Sequence, residues 1–163
     1  MITPTKEECI RMLEANNVPQ NIIEHSKKVF EVAMKVADIL EKKEINVNRD
    51  LIGAAALLHD IEKLKEDHEN KGAELVKSMG FSEVALIIRK HGLSHLDDAQ
   101  LVPSRIEDKL VFYADKRVKD DNIVSLEERF DYIKKKYGFA NIDKEYDFAK
   151  KVEEELIGNK KIS

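Results

Sequence analysis

The sequence predicts an all-α fold of seven to eight helices, and three observations carry that reading. Its 163 residues include only six Gly and three Pro, with 37% charged and 42% apolar residues, a balance suited to helices joined by short loops. Apolar residues recur at three- and four-residue spacing, and no strand-like alternation of useful length appears. Ser or Thr followed three residues later by Glu, the signature of a helix start, recurs along the chain.

The elements follow in order. Thr5 caps a first helix to about Asn16, with Glu8 completing the capping pattern. Pro19 opens a second helix to about Lys43, with an apolar stripe of Ile22, Val29, Val32, Val36 and Ile39, widened by Phe30, Ala33 and Leu40. Asn48 or Asp50 starts a third, which contains the apolar run Leu51 to Leu58 and is expected to end near Lys63. A fourth spans about Glu69 to Met79 and stops at Gly80. Ser82 caps a fifth that stops near Gly92, and the polar segment GLSHLDDAQLVP follows as a lid candidate. Ser104, with Glu107, caps a sixth helix to about Val118. Ser125 and Glu128 open a seventh, ending at Tyr137-Gly138, and an eighth covers about Asp143 to Leu156. The final GNKKIS reads as a frayed tail.

At this length, residues 1–163 are expected to form a single domain with a substantial core. The 28 basic and 32 acidic residues are interspersed, giving a net charge of −4 and no general pull toward a nucleic-acid polymer or an anionic membrane. One cysteine rules out an intramolecular disulfide and, with no apolar signal-length segment in MITPTKEECI, points to a cytoplasmic address. Cys9 sits near Ile10 and Leu13 in a helical pattern and reads as packing. No apolar run approaches the length of a membrane span. There is no G-x-x-x-x-G-K-[ST] phosphate loop, no G-x-G-x-x-G and no G-x-S-x-G nucleophile elbow. Lys134, Lys135 and Lys136 read as a solvated helix face. The long second helix and the amphipathic last two suit a homodimer or a monomer equally.

The chemistry-bearing residues are the histidines. His59-Asp60 ends the apolar run, where unpartnered burial would cost several kcal/mol, on the order of 2–7 per polar group. His25 lies on the inward stripe, three residues after Ile22 and four before Val29. His68 shares a face with Gly72, Leu75 and Met79, His91 follows Ile87 and Ile88 at helical spacing, and Asp115 follows Val111 by four. Any one of these is compatible with an ordinary core or surface residue. Together they ask one small domain to hold several inward polar groups, and a bound cation explains all of them at once. With no thiolate in the set, a divalent or ferric ion is implied, and spacing does not choose among Fe, Mn, Zn, Ni, Co and Mg. Each ligating imidazole should donate its other ring N–H to a carboxylate or carbonyl.

The ordered series His25, His59-Asp60, His68, His91, Asp115 resembles the HD-domain superfamily of metal-dependent phosphohydrolases, in particular its HDIG-type branch. LLHDIEK is similar to that branch's LLHDIGK-like motif, HENKGAEL to its H-x-x-x-G-A segment, IIRKHG to its later histidine and IEDKLVFYADK to its closing Ala-Asp-Lys segment; EHSKKVFEVAMKVA resembles the helix of the first histidine. The resemblance covers about residues 19–137, with helices 5–16 and 143–156 expected to pack on that core.

It implies an HD-domain helical bundle, a first metal on His25, His59, Asp60 and Asp115, and a second on Asp60, His68 and His91, with Asp60 bridging. It implies hydrolysis of a phosphomonoester or phosphoanhydride in a nucleotide or similar small phosphorylated molecule by a metal-activated water. Lys63, one turn beyond the His-Asp pair, is the expected phosphate contact, and Lys116, Arg117 and His95 are weaker substrate candidates. One departure stands out: the branch's Gly is Glu62 here, a carboxylate that is harmless on a helix or, beside the substrate, acts as an acid. Alternatives in keeping with the same residues are an HD-type di-iron oxygenase and a non-catalytic helical metal-binding or sensing module.

Overall fold

The computed structural model describes residues 2–138 and 141–163. Among these, eight helices and one small hairpin form: α1 (Lys6–Ala15), α2 (Gln20–Lys42), α3 (Arg49–Leu58), α4 (His68–Ser78), α5 (Ser82–Arg89), α6 (Ile106–Lys116), β1 (Val118–Lys119), β2 (Asn122–Ile123), α7 (Leu126–Tyr137) and α8 (Asp143–Leu156). The all-α reading stands. No helix of the described residues is long and apolar enough to cross a membrane.

The fold is built around α3. All eight residues from Leu51 to Leu58 are buried, and α1, α2, α5 and α6 pack around them. Full burial of Ile52, Leu57 and Leu58 contributes about 1.5–3 kcal/mol each. Helices α2 and α3 come together at Gly53, where a Cβ would stand 2.9 Å from Cε2 of Phe30. Helices α4 and α5 form a hairpin against one side, and α8 closes the other through α6 and α7. Thr5 and Ser125 cap α1 and α7 as their sequence signatures require, accepting from the amides of Glu8 and Glu128.

Several expectations are corrected. The inner edge of α2 is Ile23, Ser26 and Val29, so Ile22 lies at its margin. Helix α3 stops at Leu58 instead of near Lys63, and the chain continues through turns in which Ile61, Lys63 and Lys65 bond three residues back. Helix α6 begins at Ile106, not at Ser104 with Glu107. The buried Asp108 carboxylate accepts from the amides of Ser104 and Arg105 and from Lys90, so it does the capping. The same helix ends at Lys116, and the hairpin begins two residues later. The tail is docked, not frayed: Ile162 is buried, its carbonyl accepts from Arg117 at 3.0 Å, and Lys35 reaches the Ser163 carbonyl at 2.7 Å.

Candidate metal centre

Helix ends converge at the site. His59 is the residue immediately after α3 and Asp60 follows it; His91 lies two residues past α5; Asp115 is the penultimate residue of α6; His68 opens α4. Only His25 comes from the interior of a helix. The C-terminal ends of α3, α5 and α6 therefore meet, and each brings partial negative charge that favours a cation.

The residues fall into two sets that share one carboxylate. His25, His59, Asp60 and Asp115 offer atoms all within 4.8 Å of one another, and so do Asp60, His68 and His91. Asp60 divides its oxygens between them. Its Oδ2 lies 3.2 Å from His59 Nε2 and 3.7 Å from His25 Nε2, while Oδ1 lies 3.4 Å from His91 Nε2 and 3.5 Å from His68 Nε2. Asp115 Oδ1 completes the first set, 3.0 Å from His25 Nε2 and 3.3 Å from His59 Nε2.

Three of the imidazoles have fixed tautomers. Nδ1 of His59 donates to the Ala56 carbonyl at 2.7 Å, Nδ1 of His91 to the Ile88 carbonyl at 2.6 Å, and Nδ1 of His25 to the Asp120 carbonyl at 2.7 Å. A carbonyl only accepts, so in the neutral ring each Nε2 presents a lone pair. Those lone pairs face carboxylate oxygens, an arrangement of acceptor against acceptor. Nε2 of His59 and Oδ1 of Asp60 are buried without a hydrogen-bond partner. A cation between the two sets of lone pairs resolves both defects. Four of the six separations, 3.0–3.4 Å, match the edges of a coordination polyhedron, about 3.0–3.4 Å for metal–ligand bonds near 2.1 Å, and those from Asp60 to His25 and His68 are wider at 3.7 and 3.5 Å. The donors fit a divalent or ferric ion, and the carbonyl partners are the outer contacts such ligands need.

The electrostatics agree. Burial opposes charge on His59, yet the carboxylates of Asp60 and Asp115 push its pKa up to about 10. A field that holds a proton on a buried imidazole holds a cation equally. Burial likewise opposes charge on Asp60 and Asp115, but His59 and, for Asp115, Lys116 keep both well below the usual carboxylate range. Burial, with His91 and Lys63 nearby, lowers His68 to about 4 and leaves it neutral.

The remaining candidates divide clearly. Lys63 Nζ stands 3.9 Å from Asp60 Oδ1 and lines two cavities beside the site, of about 150 and 550 Å³. Glu62 does not face the cluster: it accepts from Asn16 at 2.9 Å and Lys65 at 2.6 Å, and against the effect of burial these partners keep it ionised, which disfavours an acid. With Asn16 also donating to the Ile61 carbonyl, it braces the turn after His59-Asp60 against the end of α1.

Lys116 and Arg117, the weaker substrate candidates, are engaged within the fold. Lys116 is buried, donating to Asp115 Oδ2 at 2.5 Å and to the His91 carbonyl at 3.0 Å. Arg117 turns away to the Val124 carbonyl, the Tyr113 hydroxyl and the Ile162 carbonyl. His95 is exposed and belongs to neither ligand set, and no residue of its loop lines the 550 Å³ cleft. Cys9 is packed in α1, and burial pushes its thiol up to about 12, far from a thiolate.

Two contributors escaped the sequence reading. One is the hairpin turn: Asp120, left-handed at φ 56°, supplies the carbonyl that orients His25. The other is Glu69, whose Oε2 lies 3.6 Å from His68 Nδ1. Its place directly after His68 was the available signal.

Comparison with known proteins gives the same picture. The HD domain family profile matches residues 22–119. The chain is 33% identical to a tRNA (cytidine(56)-2'-O)-methyltransferase of Picrophilus torridus, over 94% of this chain and 46% of that protein. It is 37% identical to a dihydroneopterin 2',3'-cyclic phosphate phosphodiesterase of Methanocaldococcus jannaschii, over 64% of this chain and 49% of that protein. With ribonuclease Y of Treponema denticola the identity is 31%, over 88% of this chain and 29% of that protein. The chain thus spans half or less of the length of these three relatives. No solved structure matches significantly. From the family match and the arrangement of its histidines and aspartates, the chain belongs to the HD domain family.

Proposed function

We propose that this protein is a metal-dependent phosphohydrolase that cleaves a phosphoester or phosphoanhydride bond in a nucleotide or similar small phosphorylated molecule. The observation that carries the reading is the division of Asp60, with one oxygen toward His25 and His59 and the other toward His68 and His91. That is how a carboxylate bridges two ions. His25, His59, Asp60 and Asp115 would hold the first metal, and Asp60, His68 and His91 the second. When bound, such ions supply a water of lowered pKa and polarise the phosphate.

The chain's own groups do the rest. The 550 Å³ cleft has His25, Asp60 and Lys63 in its wall, so a phosphate lodged there meets the ligand cluster directly. Lys63 contributes a compact positive charge for a phosphate oxygen. Lys116 ties down the second oxygen of Asp115, leaving Oδ1 for the cluster. Among the relatives, the cyclic phosphate phosphodiesterase and the ribonuclease are named for cleavage of phosphodiester bonds, and they extend the expected substrates to phosphodiesters. The methyltransferase activity belongs to a protein of which this chain spans 46%, and it is not carried over. We place the whole of residues 1–163 in one HD domain, with α1 and α8 packed on its core.

The test is hydrolysis of bis(p-nitrophenyl) phosphate and phosphate release from nucleotides, on protein purified without chelator and reloaded with Mn or Fe(II). Activity should depend on metal, and Asp60→Ala should lose both metal and activity while keeping its helix content. A metal-replete protein that hydrolyses no phosphoester overturns the reading. Oxygen consumption in its place would establish the di-iron oxygenase alternative.

A further inference from the structure

The cleft beside the ligand cluster carries a second chemistry. Besides His25, Asp60 and Lys63, it is lined by Lys119 of the hairpin and by Arg129, Tyr132 and Lys136 of α7. Lys119 Nζ lies 4.6 Å from the centroid of the Tyr132 ring, Lys136 Nζ 5.5 Å and the Arg129 guanidinium carbon 5.9 Å. Three cations thus gather around one aromatic ring.

Elsewhere, cations such as Lys90, Lys109 and Lys150 sit within 4.0 Å of a carboxylate. Among the described residues Lys119, Arg129 and Lys136 make no such ion pair, although Asp120 and Asp121 line the same cleft. The cleft's other carboxylate, Glu24, is engaged by Gln20 at 2.6 Å and Lys27 at 3.4 Å. A cation–π contact at a partly exposed ring is worth only about 0.5–1 kcal/mol. Arg129 is held to the fold through Nε, which donates to the Val118 carbonyl at 2.9 Å, so its remaining N–H groups and the two ammonium groups are left to serve an anion. A phosphate is the anion that a guanidinium and two ammonium groups suit.

The cleft's volume of about 550 Å³ falls in the range of small-molecule sites, roughly 300–1,000 Å³. It has room for a nucleotide. Resting on the phosphohydrolase reading, we propose that Lys119, Arg129 and Lys136 form a subsite for a second phosphate. The preferred substrate then carries two separated phosphate groups, one at the metal centre and one on α7 and the hairpin.

The experiment is titration calorimetry on the metal-loaded protein at fixed ionic strength, with adenosine 5'-monophosphate and adenosine 3',5'-bisphosphate as probes. The wild type should bind the bisphosphate at least tenfold tighter. Lys119→Gln with Lys136→Gln should bring the two affinities together, and Lys119→Arg with Lys136→Arg should keep the preference. Equal affinities in the wild type, or a preference that survives the glutamine pair, overturns the proposal. Phosphate release from the same probes is followed in parallel, so a wild type that shows the preference yet hydrolyses nothing rejects the phosphohydrolase reading and leaves the anion subsite standing.

Discussion

Glu69 occupies the space above Gly92: a Cβ at position 92 would stand 2.3 Å from Oε1 of that carboxylate. The residue after His91 therefore has no side chain, and the residue after His68 uses the room. Glu69 brings its carboxylate to 3.6 Å from His68 Nδ1.

Gly92→Ala should push the Glu69 carboxylate aside, since a carboxylate end swings more readily than backbone moves. The affinity of the His68–His91–Asp60 set for metal should fall about tenfold, within the range seen when outer contacts of a ligand are lost. Chelator competition reads this, and thermal melting should stay near wild type. Unchanged affinity would remove Glu69 from the centre.

Replacing His68 and His91 together by Ala should lower metal content from two ions per chain to one, measured by elemental analysis. The first set keeps His25, His59, Asp60 and Asp115. If both ions vanish, the division of ligands is wrong.

Arg117→Ala should cost stability rather than substrate binding. Its guanidinium satisfies the Val124 and Ile162 carbonyls and the Tyr113 hydroxyl, all away from the cleft. Urea unfolding should show a loss of about 2–4 kcal/mol, the size expected when buried acceptors are orphaned. A raised KM at unchanged stability would return Arg117 to the substrate.

Asp108 predicts an acid limb. Burial opposes its charge, but the Arg105 amide and Lys90 hold its pKa below the usual range. A lowered folded pKa gives stability that is complete above the unfolded value of about 4 and lost as pH falls through the folded one. The stability difference between wild type and Asp108→Asn should shrink from pH 6 to pH 3 in urea titrations. A difference that is constant with pH would contradict the assignment.

What the sequence could show depended on range. Helical spacing was enough to turn His25 and Asp115 toward the same interior, because a helix face is a local property. The end of α3 was missed because the His59 ring takes the Ala56 carbonyl, the acceptor that another helical turn would have used. The hairpin's strands, two residues each, are too short for alternation to register, yet the turn between them orients His25. Adjacency to Asp115 said nothing about which way Lys116 and Arg117 point. The docked tail depends on Arg117, 45 positions before Ile162, a pairing that only the folded chain shows. Lys136 read as plain solvated charge because Lys119, its companion at Tyr132, comes from the distant hairpin.

The ring orientations of His25, His59 and His91 are set by main-chain oxygens. Every residue has such an oxygen, so replacing Ala56, Ile88 or Asp120 with another side chain does not remove it. The ion-binding chemistry is thereby insulated from drift in those neighbours, while the cleft wall on α7 and the hairpin is built from replaceable side chains. In such a lineage the reaction can stay constant as the choice of molecule changes.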